Sequence, residues 1–190
     1  STEINRVDKA IGKLEGVSLF IDECKDSSLR YLLNKIRQYV ITKDVKFVLV
    51  DYLQLVKGSG TSREQEVAMV ARELKNLAKE LNITIVALSQ LSRGVERRDG
   101  CRPSLSDLRE SGEIEQASDI VMLVYRPEYY GIMADDSGNS TEGLVDLIFA
   151  KGRNIGTGTL PLKFKKEYTK FIDPQDYTEK FISAQPSESF

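Results

Sequence analysis

The sequence predicts an α/β fold in which a parallel sheet is flanked by helices, with antiparallel strands added at its C-terminal end. Three observations carry this. Val45–Val50 and Ile83–Leu88 are short, continuous apolar runs rich in β-branched residues, each closed by a polar residue. Between them Val67, Val70, Ala71, Leu74, Leu77, Ala78 and Leu81 fall on one stripe at helical spacing. Strand, helix, strand with continuously apolar strands is the signature of parallel pairing with both sheet faces covered. The composition agrees: 190 residues, 41% hydrophobic and 29% charged, describe one ordinary globular domain with enough chain to bury a core.

The remaining elements follow in order. Ile4, Val7, Ile11 and Leu14 recur at helical spacing, and Val17–Ile21 reads as a strand ended by Asp22-Glu23. Leu29, Leu32, Leu33, Ile36 and Val40 mark a second amphipathic helix. Ser62 with Gln65 three residues on forms a capping-box pattern that opens the long helix. After a polar, arginine-rich stretch from Leu91 to Asp119, Ile120–Tyr125 is a further strand. Leu144–Ala150 and Thr159–Phe164, joined by a glycine-rich turn, supply the antiparallel end, and Phe171-Ile172 pairs after the Lys170 turn. Asp135–Gly143 reads as a flexible loop and residues 174–190 as a polar tail, which leaves 1–173 as the domain.

Composition removes several chemistries. The chain has no His, so no Ser-His-Asp triad, Cys-His pair, His-ligated metal or imidazole acid/base operates within it. Its two Cys, Cys24 and Cys101, form neither a disulfide framework nor a metal motif, which implies a reducing, cytoplasmic address. There is no signal-peptide pattern and no apolar run approaching about 18 residues, so neither secretion nor a membrane span is expected. A net charge of −2 does not announce a nucleic-acid binder, but a local patch can hide within it.

Four groups of residues can carry chemistry without imidazole. Asp51 closes an apolar strand, the form of a Walker B carboxylate that holds Mg²⁺ beside a nucleotide's phosphates, or simply a capping residue. Gln90, after Ser89, ends the next strand run, so it shares the carboxyl edge with Asp51; a neutral amide there senses a phosphate or orients water, unless it is only a surface strand end. Arg93, Arg97, Arg98, Arg102 and Arg109 crowd a glycine-punctuated stretch without aromatics. Such a stretch suits a sequence-blind grip on phosphates, or is a solvated basic loop. Lys151 and Arg153 point the same way from an extended segment before Gly156-Thr157-Gly158, as an anion clamp or as a charged hairpin. No GxxxxGK[ST] phosphate loop occurs anywhere in the 190 residues.

Three segments taken together, VLVDYLQLV (48–56), IVALSQLSRGVERRDGCRPSLSDLRESGEIEQASDIVMLVYR (85–126) and IFAKGRNIGTGTLPLKF (148–164), resemble the carboxy-terminal ATPase domain of the DnaB family of replicative DNA helicases. The resemblance runs from about Ile4 to Phe171. It implies a RecA-like P-loop NTPase core, ATP and Mg²⁺ as cofactors, a homohexameric ring with ATP sites between subunits, and translocation along single-stranded DNA. Primase and a helicase loader are the further partners it implies. On the matching motifs Asp51 is the Walker B carboxylate and Gln90 the residue that couples phosphate state to the DNA loops. Arg109, Glu110 and Gly112 match the loop on the DNA backbone. Lys151 and Arg153 match the pair that reaches the neighbouring subunit's γ-phosphate, with Arg153 as the finger. Two departures stand out. Gly152 replaces a Gln common in the family, which implies a looser backbone before Arg153. The Walker A residues and the catalytic Glu have no counterpart, so the chain is expected to be a domain without its N-terminal part, inactive by itself. A non-catalytic DNA-binding or assembly module and a hexameric recombinase-type ATPase are the alternatives; SDLRESGEIEQASD fits the replicative helicases better.

Overall fold

A computed structural model describes residues 2–14 and 16–173, with the side chains at 2, 3, 10, 14 and 109–111 outside that description. The predicted tail, 174–190, lies outside the described residues. Helix α1 spans Thr2–Leu14, α2 Leu29–Lys43, α3 Arg63–Leu81 and α4 Gly112–Ala117. The strands are β1 Phe47–Val50, β2 Thr84–Ala87, β3 Ile120–Tyr125, β4 Leu144–Gly152, β5 Gly158–Lys165 and β6 Lys170–Ile172.

The order β1–α3–β2 gives the parallel pair the sequence predicts, with Phe47 opposite Thr84 and Val50 opposite Ala87. Ser62 caps α3 by accepting the Gln65 N–H at 3.3 Å. The reciprocal half of the capping box is absent: the Gln65 amide oxygen takes the N–H and hydroxyl of Thr61 instead. The predicted stripe of α3 is its buried face, with Val67, Val70, Leu74 and Leu77 at 4% exposure or less. Each such side chain contributes roughly 1.5–3 kcal/mol by leaving water. The stripe packs with Leu29 and Ile36 of α2, Val50, Leu53 and Ile114 into one core.

Two expectations need correction and a third is sharpened. Among the described residues the parallel strands are covered on one face, because α2, α3 and α4 all join the same cluster; Phe47 and Leu49 on the other face are each 59% exposed. Val17–Ile21 is not a strand: it makes no ladder bond among the described residues, and Leu19 and Ile21 are exposed. An apolar run with no strand edge to pair against stays outside the sheet, and Asp22 then turns the chain by accepting the Cys24 N–H. Finally, the antiparallel strands predicted at the C-terminal end are present, and among the described residues they stand as a sheet of their own. They form a second sheet in the order β3-β4-β5-β6, including the predicted pairing of Phe171 and Ile172 with β5. The Leu91–Asp119 segment crosses between, and Leu91, Leu105 and Leu108 pack on Val121 and Leu123. Side-chain packing thus replaces main-chain bonds at that junction. The other face of β3, with Ile120, Met122 and Val124, is about half exposed.

Candidate functional site

The parallel pair places Asp51 and Gln90 as its topology requires. The Leu88 N–H donates to Val50 O and the Leu53 N–H to Leu88 O, both at 2.9 Å, so the chain after β1 and the chain after β2 leave the sheet side by side. Asp51 is exposed, has no ion pair or side-chain hydrogen bond among the described residues, and is joined to Tyr52 by a cis peptide. The Gln90 side chain is also exposed, but its main chain is held. Gln54, from the 3₁₀ turn Leu53–Leu55, accepts the Gln90 N–H at 3.3 Å through its amide oxygen. Its amide nitrogen donates to Ser89 Oγ at 3.1 Å and Gln90 O at 3.4 Å. Arg63, at the start of α3, donates to the Gln54 carbonyl and pairs with Glu66. Beside this network lies a cavity of about 50 Å³ lined by Gln54, Arg63, Gln90, Ser92 and Asp107 among others; Asp51 is not in its wall.

The arginine-rich stretch is partly structural. Arg98 pairs with Asp107, a carboxylate only 7% exposed, and reaches Ser104 Oγ at 3.3 Å. Ser104 and Asp107 form a capping box at the head of the 3₁₀ segment Leu105–Ser111. Burial pushes the Asp107 carboxyl up, but the Ser104 N–H and the Arg98 guanidinium outweigh it and hold the group below the usual carboxylate range. Arg102 binds Asp146 at 2.5 Å and Thr159 at 3.3 Å, clipping the loop to β4 and β5. Two of the five arginines therefore fold the loop rather than face a ligand. Arg93 and Arg97 are exposed and make no such bonds among the described residues. Arg109 and Glu110 belong to the 3₁₀ segment, and their side chains lie outside the described residues. Gly112 joins it to α4 at φ −51°, and a Cβ there would meet nothing within 4 Å among the described residues, so neither the backbone nor these neighbours demand glycine.

Lys151 and Arg153 converge on the far end of α4. The Lys151 ammonium donates to the Glu115 carbonyl. Arg153 donates to Gln116 O at 3.4 Å and pairs with Asp119 at 3.3 Å, while its main-chain N–H donates to Asp119 O at 3.0 Å. Cations are favoured at helix carboxyl ends by the carbonyls left open there. Asp119 also pairs with Lys75 of α3; that hydrogen bond, helped by the Arg153 charge, holds its carboxyl below the usual range. The backbone at Gly152 is not loose, as the sequence suggested. A Cβ there would lie 2.4 Å from Ile155 Cγ1 and 2.6 Å from Ile155 O, so the turn closes directly on the glycine.

Within one chain these two groups are anchored at different points of α3. Arg63, at the start of α3, touches Gln54 beside Gln90; Lys75, twelve residues further along the helix, holds Asp119 beside Arg153. At 1.5 Å per residue these anchors are about 18 Å apart. Sequence reasoning missed Gln54 and Asp119, which act across long sequence separations. Gln54 lies inside VLVDYLQLV, but nothing in its period marks it.

The DnaB-like helicase C terminal domain family matches residues 1–173. The chain is similar to the replicative DNA helicase DnaC of Bacillus subtilis and to replicative DNA helicase DnaB of Geobacillus stearothermophilus. It is 43% identical to each over 167 residues, which cover 86% of this chain and 36% of theirs. It thus spans about a third of the length of these curated relatives. A solved structure described as an ATPase domain superposes with a TM-score of 0.81 at 36% identity, covering 92% of this chain and 61% of its own. A DnaB-like replicative helicase, described together with its interactions with primase, superposes at 0.80 and 36%, covering 92% of this chain and 42% of its own. The chain belongs to the family of DnaB-like replicative helicase C-terminal domains, and its α/β fold is the RecA-like fold of that family.

Proposed function

We propose that this chain is the motor portion of an ATP-dependent replicative DNA helicase, with residues 1–173 as an incomplete RecA-like ATPase domain. ATP and Mg²⁺ bind beside Asp51 and Gln90 of one copy, and Lys151 and Arg153 approach the γ-phosphate from the next copy in a homohexameric ring. One observation supports the reading: Gln54 beside Gln90 is tied to Arg63 and Asp119 beside Arg153 to Lys75, anchors about 18 Å apart along α3, an arrangement that suits a site completed by a second copy. Asp51 suits the metal, since it is exposed and otherwise unbonded among the described residues, which also hold no group of three His, Cys, Asp or Glu. Mg²⁺ typically keeps several waters and needs only one or two carboxylates besides the phosphates.

Bound ATP·Mg²⁺ supplies the phosphoryl group and the charge to be neutralised. Asp51 would hold the metal, Gln90 would present a neutral amide to the phosphate or its water, and Lys151 and Arg153 would stabilise charge that develops on transfer. None of this needs His. Arg109, Glu110 and Gly112 contact the backbone of single-stranded DNA, and the unforced glycine at 112 lets that backbone approach closely. Without a GxxxxGK[ST] loop, these 190 residues by themselves do not hydrolyse ATP. By similarity to the helicase described with primase, a primase is a partner of the complete protein, as is a loader; a cytoplasmic setting fits. Among the described residues no helix is long and apolar enough to cross a membrane.

Subunit mixing tests the shared site. In complete helicase rings, Asp51→Asn and Arg153→Ala should each lower DNA-stimulated hydrolysis by about 10³-fold or more, with nucleotide binding retained in Arg153→Ala. Rings assembled from both variants regain hydrolysis, because some interfaces then pair a native Asp51 with a native Arg153. Mixed rings as inactive as either parent would overturn the shared site.

A further inference from the structure

We infer that Asp119 is a positioning residue for Arg153, and that α4 ties the segment proposed to contact DNA to the cations proposed to contact phosphate. This rests on the proposed function and adds a connection that none of its parts contains.

The geometry is specific. Asp119 meets Arg153 twice, by its carbonyl on the Arg153 N–H at 3.0 Å and by its carboxylate on the guanidinium at 3.3 Å. The same guanidinium donates to Gln116 O, and Lys151 donates to Glu115 O. Both cations therefore end on the last turn of a helix only six residues long, whose first residue is Gly112. On the other side Asp119 is fixed by Lys75, and the residues flanking it on α3, Leu74 and Leu77, are in the core. A shift of the 109–112 segment carries the carbonyls at 115 and 116 with it, and these hold Lys151 and Arg153.

Exposure decides what the ion pair does. The Arg153 and Asp119 side chains are 51% and 53% exposed, and pairs that wet contribute little to stability. A phosphate offers a guanidinium shorter, paired hydrogen bonds and takes it from such a contact readily. Asp119 thus sets the direction from which Arg153 departs and to which it returns, while the main-chain bond keeps the two residues adjacent. Its effect belongs on turnover under DNA stimulation rather than on folding or on ATP affinity.

The test uses complete helicase rings and reads basal hydrolysis, DNA-stimulated hydrolysis and the KM for ATP. Asp119→Asn keeps size and the main-chain bond but removes the charge. It should cut DNA stimulation about five- to tenfold, with KM nearly unchanged. Asp119→Glu should restore most of the stimulation. In an Arg153→Lys background Asp119→Asn should cause less than a further twofold loss, since residues acting through one group are not additive. Wild-type stimulation in Asp119→Asn, an equal fall in basal and stimulated rates, a raised KM, or full additivity with Arg153→Lys each overturns the inference. The finger reading fails separately: Arg153→Ala with native DNA stimulation would sink it, whereas an inactive Arg153→Ala beside a native-like Asp119→Asn sinks only the role of Asp119.

Discussion

The side-chain amide of Gln54 holds the peptide of Gln90 by both its polar groups, accepting from the N–H at 3.3 Å and donating to the C=O at 3.4 Å. This joins the turn after β1 to the chain after β2 beyond the last ladder bond. Gln54→Ala leaves those groups to water and should cost about 1–2 kcal/mol. Thermal unfolding reads the loss, and hydrogen exchange at the Gln90 amide should quicken. Unchanged exchange there would show that the clamp is not what orders this edge.

Asp107 makes the arginine-rich loop sensitive to acid. Its carboxyl is held below the ordinary value of 3.8, so it contributes stability that is present above that value and lost as pH falls through its folded pKa. Asp107→Asn should destabilise the fold by about 1–3 kcal/mol at neutral pH. The gap between variant and wild type should close as unfolding is measured at successively lower pH below about 4. A gap that persists into strong acid would assign the loss to something other than charge.

Gly152 has no room for a side chain. Because the closest fixed neighbour of a new Cβ is the Ile155 carbonyl, Gly152→Ala must move the turn, at about 1–3 kcal/mol. Ile155→Ala removes only Cγ1 and beyond, so the double variant should recover little. A melting temperature unchanged by Gly152→Ala would show that the turn relaxes freely.

Four of the five arginines should separate by experiment. Arg98→Ala and Arg102→Ala remove bonds within the loop and should lower thermal stability. Arg93→Ala and Arg97→Ala should leave it unchanged. If Arg93 and Arg97 touch DNA phosphates in the complete helicase, each loss weakens binding alike for all sequences and reduces the salt slope by about one. A sequence-dependent loss would point to base contacts instead.

What could be read from the sequence is what local period and strand ends determine. The buried stripe of α3, the parallel pair β1–β2 and the hairpins of the second sheet follow from spacing within short windows. That Asp51 and Gln90 share one sheet edge follows from the parallel order of β1 and β2. Val17–Ile21 misled because apolar content makes a strand only where an edge is there to receive it. One-sided covering of β1 depends on where α2 and α4 come to rest, which no window contains. Gln54 and Asp119 escaped for the same reason. Gln54 meets Gln90 across 36 positions and Asp119 meets Lys75 across 44, and polar residues carry no period to announce such contacts. The Ser104–Asp107 capping box has the local spacing of a helix start, yet its closing partner Arg98 is set by the fold of the loop.

The bare faces of Phe47 and Leu49, and of Ile120, Met122 and Val124, bear on how this chain behaves in a test tube. With a net charge of only −2 to keep molecules apart, these apolar surfaces govern its colloidal behaviour. Sulfate salts should drive the isolated chain out of solution at low concentration, mild detergent should keep it dispersed, and light scattering should rise with protein concentration well before any unfolding.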